Sequence, residues 1–369
     1  MEVAVITRHA IINYGSLLQS AATQNAIEAL GHSCRIIDYV RPNEDCTQLH
    51  KCQLQHSQKW NRTPLRRRVY STLRYTENVM AGRLFESARH QLLHLTEPYV
   101  TVRDLAANVP KADVYMTGSD QVWGPMEDGT YDPAYRLTFA PKGAKKVAYA
   151  ASFGCTELDK SLRGQFCRDL REYAHITVRE DSARALLWQL GLEGRQVLDP
   201  VFLPEDDFWQ GLLSPIDAAP GSYFLVYQIH KDPALSTYAK TAAKAAGQPL
   251  LRLSASVHQA AWGGKFIYAP TPGQFLHYIK NAACVVTDSF HGTAFAMRFG
   301  VPFVEVLPTN CTGTRNRSLL ALTGLQERLV TNSADINLAA KPIDYEPVRQ
   351  KIETARAASL AAMREMIEK

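Results

Sequence analysis

The feature that most constrains this chain is a repeated unit: a short apolar run, rich in β-branched residues, that ends in a polar or glycine-bearing turn. Such runs lack the alternation of a strand with one wet face. They read as strands covered on both sides, the habit of parallel sheets flanked by helices. The first is "VAVIT" at 3–7, followed by the loop "RHAIINYGS", a helix over about 17–30 stopped by Gly31, and a second strand "CRIIDYV". That opening is a βαβ unit. "DVYMT" then leads into "GSDQVW", "KVAYAA" into "SFG", "HITV" into "RED" and "RQVL" into "DP". Parallel strands finish on one edge, so these turns line a common cleft.

The pattern breaks twice. Residues 41–100 are polar, helical in tendency and poor in strand signals, which marks a helical insertion. The stretch 204–220, acidic and bearing Pro and Gly, marks a boundary, after which "YFLVYQI", a helix over 233–246, "PLLRLSAS", a helix over 272–282 and "CVVT" restart the alternation. The expected fold is α/β, with two Rossmann-like domains facing across a cleft. The first spans 1–210 and the second 211–344, with a helix over 345–369 packing back on the body. A hinge near 204–220 would close the halves over a substrate.

Composition excludes several classes. The net charge of +5 is too mild to argue for nucleic acid, though it suits anionic small molecules or a membrane surface. Five Arg and no acid lie in 60–74, where Leu65, Val69 and Leu73 recur at helical spacing, so this segment reads as a peripheral membrane contact or a solvated helix face. Seven cysteines, odd in number and without C-x-x-C spacing, point to a reducing compartment and no metal site. The chain opens on a strand and carries no run of about 18 apolar residues, so a cytoplasmic protein is expected. Neither G-x-G-x-x-G nor G-x-x-x-x-G-K-[ST] occurs, which disfavours a tightly held dinucleotide or a phosphate loop, and no cofactor is expected.

The most informative elbow is "VVTDSFHGTAFAMRFGVPFVEV", 285–306. A helix beginning near Gly292 and Thr293, just past a buried strand, would offer free N–H groups to an anion, with His291 filling the turn. Alternatively Asp288 and Ser289 cap that helix and His291 packs.

Seven phrases in order, "NYGSLLQSAATQNAIEALGH" with "IIDY", "GSDQVW", "YAASFG", "TVRE", "VLDP", "SFHGTAFA" and "TRNRSLLALTGLQER", resemble the polysaccharide pyruvyl transferase family over nearly the whole chain. The resemblance implies a GT-B-like fold. It also implies transfer of pyruvate from phosphoenolpyruvate, as co-substrate, onto two hydroxyls of a sugar, in a surface polysaccharide or its lipid-linked precursor at the inner face of the membrane. It makes Arg179 a donor ligand, although an ion pair with Glu180 or Asp181 is the plainer alternative. His291 is the candidate acid or phosphate ligand, Asp120 the base or a helix cap, and Trp123 a stacking surface for the sugar ring. Asn13 and Tyr14 would face the acceptor or serve the turn alone. Ser289, Gly292, Thr293, Arg315 and Arg317 would face the donor. Two positions depart from the branch with established pyruvyl transfer: Ser289 stands where an Arg is usual, and Ser16 where an acid is common. Arg315, Arg317, Lys231 and Lys265 are the candidate substitutes for the lost charge. Two other readings stand beside it, a nucleotide-sugar glycosyltransferase with Glu305 as its ribose ligand, and a carbohydrate-binding protein without catalysis.

Overall fold

The computed structural model describes residues 1–55, 57–126, 129–307, 313–330 and 335–369; Cys311 lies outside the described residues. Two parallel sheets organise the chain. The first joins β1 (Glu2–Ile6), β2 (Ser33–Ile36), β3 (Val114–Thr117), β4 (Lys145–Ala151), β5 (Tyr173–Val178) and β6 (Arg195–Gln196) in the order β2-β1-β3-β4-β5-β6. The second joins β7 (Phe224–Tyr227), β8 (Leu250–Ser254), β9 (Lys265–Tyr268), β10 (Cys284–Thr287) and β11 (Phe303–Glu305) in the order β11-β10-β7-β8-β9. Every residue of β3, β7 and β10 is buried, as continuous apolar runs require. Strand β9 was not anticipated. Its residues are only partly buried at a sheet edge, and the preceding Gly263-Gly264 masks the run. The strand order reverses between β1 and β3 and again between β7 and β10. In open α/β sheets those switch points open a crevice at the carboxyl ends of the strands, and here the two crevices face each other.

Helix Asp206–Leu212 already belongs to the second domain, its Trp209 packed edge-on against Phe295 at 5.0 Å. The insertion is helical, as expected, and contains helices Leu49–Gln55 and Pro64–Leu92, the latter capped by Thr63 with Pro64 at its first position.

An apolar core runs through the interface. Tyr14 stacks on Phe275 of the second domain at 4.4 Å with ring planes 5° apart, and touches Phe85 of the insertion at 4.8 Å. Helix Glu346–Glu368 straps the two halves together. At its start the Tyr345 hydroxyl donates to the Val301 carbonyl at 2.5 Å in the second domain. Further along, Ser359 Oγ accepts from Leu198 N at 3.0 Å, and Lys145 Nζ donates to the Ile367 carbonyl at 2.8 Å, both contacts in the first.

The strap is held by burial, since Met363, Met366 and Ile367 are enclosed in the shared core. Met363→Ala is expected to cost about 2–5 kcal/mol, the usual range for truncating an enclosed side chain, read from the denaturation midpoint. A loss below about 1 kcal/mol would mean that the helix end is not part of the core.

Candidate functional site

The turns at the facing strand ends deliver a cluster of charged and polar side chains. Ser16 comes from the first turn of helix Tyr14–Ala29, Asp120 from the turn after β3, Arg179 and Glu180 from the end of β5, Asp199 from the turn after β6 and His291 from the helix after β10. Arg179 lies at the centre, only 4% exposed. Its Nη1 donates to Asp199 Oδ2 at 2.7 Å, Nη2 stands 3.7 Å from Asp120 Oδ1, and Nε 3.9 Å from Glu180 Oε2. The guanidinium also covers the Phe290 ring at 4.6 Å. Asp181 pairs elsewhere, with Arg184 at 3.6 Å. His291 Nε2 approaches the same Asp199 oxygen at 3.7 Å, and Ser119 Oγ donates to it at 3.0 Å. Arg315, from helix Thr314–Thr323, completes the set 4.0 Å from Asp120.

Local backbone geometry fixes this arrangement. Asp120 caps no helix. It adopts φ +84°, a left-handed conformation that costs a non-glycine residue roughly 1–3 kcal/mol and that aims its carboxylate at Ser16 Oγ, 2.5 Å away. Its carbonyl accepts from Ser152 N at 3.1 Å, which ties the turn to the end of β4. Gly15 is equally constrained, because a Cβ there would meet His291 Nδ1 at 2.1 Å. A glycine is therefore required for the first helix to touch the histidine.

The helix after β10 begins at Phe290 rather than near Gly292. Ser289 is its cap and accepts from Gly292 N at 3.2 Å, while Thr293 N donates to the Ser289 carbonyl at 3.0 Å. The amides expected to hold an anion at Gly292 and Thr293 are therefore already satisfied. Asp288 does not cap this helix, but accepts from Ile229 N at 2.7 Å and His230 N at 2.8 Å. The capping alternative thus holds for Ser289, while His291 is left facing Asp199.

The electrostatics follow from burial among opposed charges. Burial opposes ionisation of Asp120, yet Arg179, then His291, Arg8 and Arg315 outweigh it and hold the carboxyl at about 2. Asp199, for which burial is likewise outweighed by His291 and Arg179, falls well below the ordinary carboxylate range. Burial raises Glu180 despite Arg179 and the Ser152 hydroxyl. Arg315, desolvated and facing Arg179, drops to about 10. Several buried atoms of this cluster have no hydrogen-bond partner: Arg179 Nε and Nη2, Glu180 Oε2, His291 Nε2 and Arg315 Nε. Unpaired buried donors are costly. A ligand rich in anionic oxygens would satisfy them.

Beside the cluster lies a cavity of about 280 Å³ between the domains. Asn13, Asn78, Gln228 and Gln259 line it, together with Glu44 and Ser254, with Ile11, Ile12, Leu49 and Ile229 among them, so its wall is mixed, with many amides and hydroxyls. Asn13 both lines this cavity and caps the first helix, accepting from Gly15 N at 2.9 Å. Tyr14 borders the cavity with its ring, but its hydroxyl donates to the Pro270 carbonyl at 2.7 Å, which makes it an interdomain tie.

Three other expectations are corrected. Trp123 is buried against Phe153 and Tyr173, with Nε1 donating to the Tyr135 carbonyl at 3.0 Å, so no face remains for a sugar. Arg317, Lys231 and Lys265 are exposed to solvent, which leaves Arg315 alone among the substitutes considered in reach of the cluster. Glu305 is wholly buried. It accepts from Thr293 Oγ1 and, at 2.8 Å, from Asn316 Nδ2, and so cannot reach a ribose. Asp199 was not singled out from the sequence, and Glu180 only as an ion-pair partner of Arg179, although "VLDP" and "TVRE" each place an acid at a strand end on the ligand edge. Among the described residues no group of three or more His, Cys, Asp or Glu is gathered to hold a metal ion.

A family model described as polysaccharide pyruvyl transferase matches residues 13–310. No curated protein matches the chain in sequence. Among solved structures, a putative UDP-N-acetylglucosamine 2-epimerase from Listeria monocytogenes superposes with TM-score 0.55 at 12% identity, covering 100% of this chain and 96% of the other. Arabidopsis thaliana UGT89C1 complexed with UDP-L-rhamnose gives 0.51 at 11%, covering 99% and 98%. An O-GlcNAc transferase mutant from Thermobaculum terrenum gives 0.50 at 11%, covering all of this chain but only 66% of that one. At these identities the likeness is one of fold, and the fold is GT-B-like.

Glu305 provides a test of the buried network that needs no substrate. Burial lifts its carboxyl from 4.5 to about 7, against the donors from Thr293 and Asn316. The folded chain therefore holds this proton more tightly than the unfolded chain, and stability falls as pH rises from 4.5 through about 7. Glu305→Gln removes that slope. The variant should gain on the parent in melting temperature between those limits, with a ceiling of about 3 kcal/mol. Parallel pH profiles would show that Glu305 is ionised in the fold throughout.

Proposed function

The chain belongs to the polysaccharide pyruvyl transferase family, and on that premise we propose that it moves pyruvate from phosphoenolpyruvate onto two hydroxyls of one sugar, forming a cyclic ketal. The observation that carries this reading is the interdomain cluster, in which His291, Arg179 and Arg315 stand among carboxylates with unsatisfied polar atoms beside an amide-lined cavity.

The chemistry fixes what each group must do. The enol CH2 takes a proton and becomes CH3, leaving C2 electrophilic. One sugar hydroxyl adds to C2, the bond from C2 to the phosphate oxygen breaks, and the second hydroxyl closes the ring. Of the two hydroxyl protons released, one replaces the proton taken by carbon and the other leaves with phosphate.

In this reading His291 delivers the proton, with Asp199 facing its Nε2 to support the imidazolium. Arg179 and Arg315 turn their unsatisfied N–H groups to the donor's carboxylate and phosphate. Asp120, held at about 2, is a weak base at rest. A donor anion arriving at Arg179 and Arg315 weakens the field that holds it down, so its basicity rises when the donor is bound. The amides of Asn13, Asn78 and Gln259 suit the hydroxyls of an acceptor sugar, in a polysaccharide or its lipid-linked precursor. In this reading the transfer takes place in the cytoplasm.

Thermal shift with candidate donors separates this reading from nucleotide-sugar transfer and from simple carbohydrate binding. Phosphoenolpyruvate at a hundred times its Kd should stabilise the protein by about 2.7 kcal/mol, and a set of uridine diphosphate sugars should not. His291→Asn should lower turnover by about 10²–10⁴-fold, the usual worth of a positioned acid, while keeping most of the melting temperature. Stabilisation by a nucleotide sugar alone, or normal turnover in His291→Asn with a much lower melting temperature, would overturn the assignment.

A further inference from the structure

We propose that the amino-terminal half of helix Pro64–Leu92 seats this protein on the anionic lipid surface of a bilayer. The helix divides into two parts. From Asn78 onward it is anchored, with Ala81, Gly82, Phe85 and Ala88 buried, and Gly82 allows close contact with Cys46. Before Asn78 none of its residues is buried, although it carries a continuous apolar stripe. Leu65 is 73% exposed, Leu73 65% and Met80 58%, with Val69 exposed between them. At ~100° per residue these four side chains fall within an arc of roughly 80°.

Arg66 and Arg68 flank that stripe on opposite sides, and both are exposed. From Cys46 to Thr76 the chain carries seven Lys and Arg and no acid, more than the net +5 of the whole protein. The rest of the molecule is therefore slightly acidic, and this segment carries the net positive charge, with Arg66 and Arg68 beside the stripe while Arg74 pairs with Glu77 at 2.7 Å. A surface of this composition fits the interface of an anionic membrane, where cations meet headgroup phosphates and the stripe enters the acyl boundary. Trp60 and Tyr70, with ring centroids 5.6 Å apart near the start of this helix, supply the aromatic residues that favour such interfaces. They also line an apolar cavity of about 510 Å³ with Leu73, Met80 and Val257, so the apolar surface continues toward the second domain.

The contact is peripheral, because among the described residues no helix is long and apolar enough to cross a membrane. The insertion also reaches the amide-lined cavity through Gln53 and Asn78.

Sedimentation of the full chain with vesicles tests the proposal, using phosphatidylcholine alone and phosphatidylcholine with about one-third phosphatidylglycerol, at low and physiological salt. The protein should partition onto the anionic vesicles, weaken with salt and ignore the neutral ones. Arg66→Gln with Arg68→Gln should lower partition about 30-fold. Leu65→Gln with Leu73→Gln should lower it several-fold while leaving retention on heparin unchanged. Circular dichroism checks that both double variants stay folded. Absence of partition, or equal partition onto neutral vesicles, overturns the proposal. If the leucine variant binds vesicles like the parent, the patch is a site for soluble polyanions. If light scattering finds a dimer that the leucine variant dissolves, the patch is covered by a second copy. Either result also overturns it.

Discussion

The pairing of Arg179 with Asp199 is the interaction on which the rest of the site depends. A guanidinium removed from water is tolerable only when opposite charge is close and well directed, and the 2.7 Å contact supplies both. Asp199 holds other groups as well. Its second oxygen accepts from Val201 N at 3.1 Å and so fixes the turn that begins at Pro200. The shared oxygen also takes Ser119 and faces His291, which makes one carboxylate the junction between the β3, β5, β6 and β10 edges. Domain arrangement and site geometry are thus the same problem. His291 reaches Asp199 only because the second domain docks closely, and the docking is close because Gly15 has no side chain.

Much of the fold was legible because buried parallel strands are apolar throughout and end on turn residues. β1, β3, β4 and β10 have that form, and the insertion is conspicuous by lacking it. β6 and β9 were harder, the first because only Arg195 and Gln196 pair, the second because an edge strand needs no continuous apolar run. At the site, the residues located best were those whose chemistry is scarce at strand ends, His291, Asp120 and Arg179. The acids facing them were not. Pattern places an acid at a strand end but cannot tell whether its partner is adjacent in sequence, and Arg179 chose Asp199, 20 residues on, over Glu180 as its closest contact. Aromatic residues misled for a related reason. Trp123 reads as a sugar platform only until the core around Phe153 is assembled.

The two departures from the family pattern become intelligible together. Ser16 Oγ reaches Asp120 at 2.5 Å, so an acid at position 16 would set a second carboxylate against the first. Ser289 is committed to capping its helix, and Arg315 brings positive charge to Asp120 from another helix. The loss of an acid at one position and of a cation at another leaves the local balance of charge little changed.

The central claim is that this buried set protonates the enol carbon of phosphoenolpyruvate during transfer to a sugar. Its most direct test is to run the reaction in D2O with phosphoenolpyruvate and a panel of soluble hexosides, and to observe the ketal methyl group by NMR. The account predicts that each ketal carries one solvent deuterium in its methyl group and is accompanied by one inorganic phosphate. A product without deuterium in that methyl, or a glycoside formed with no phosphate released from phosphoenolpyruvate, would contradict it.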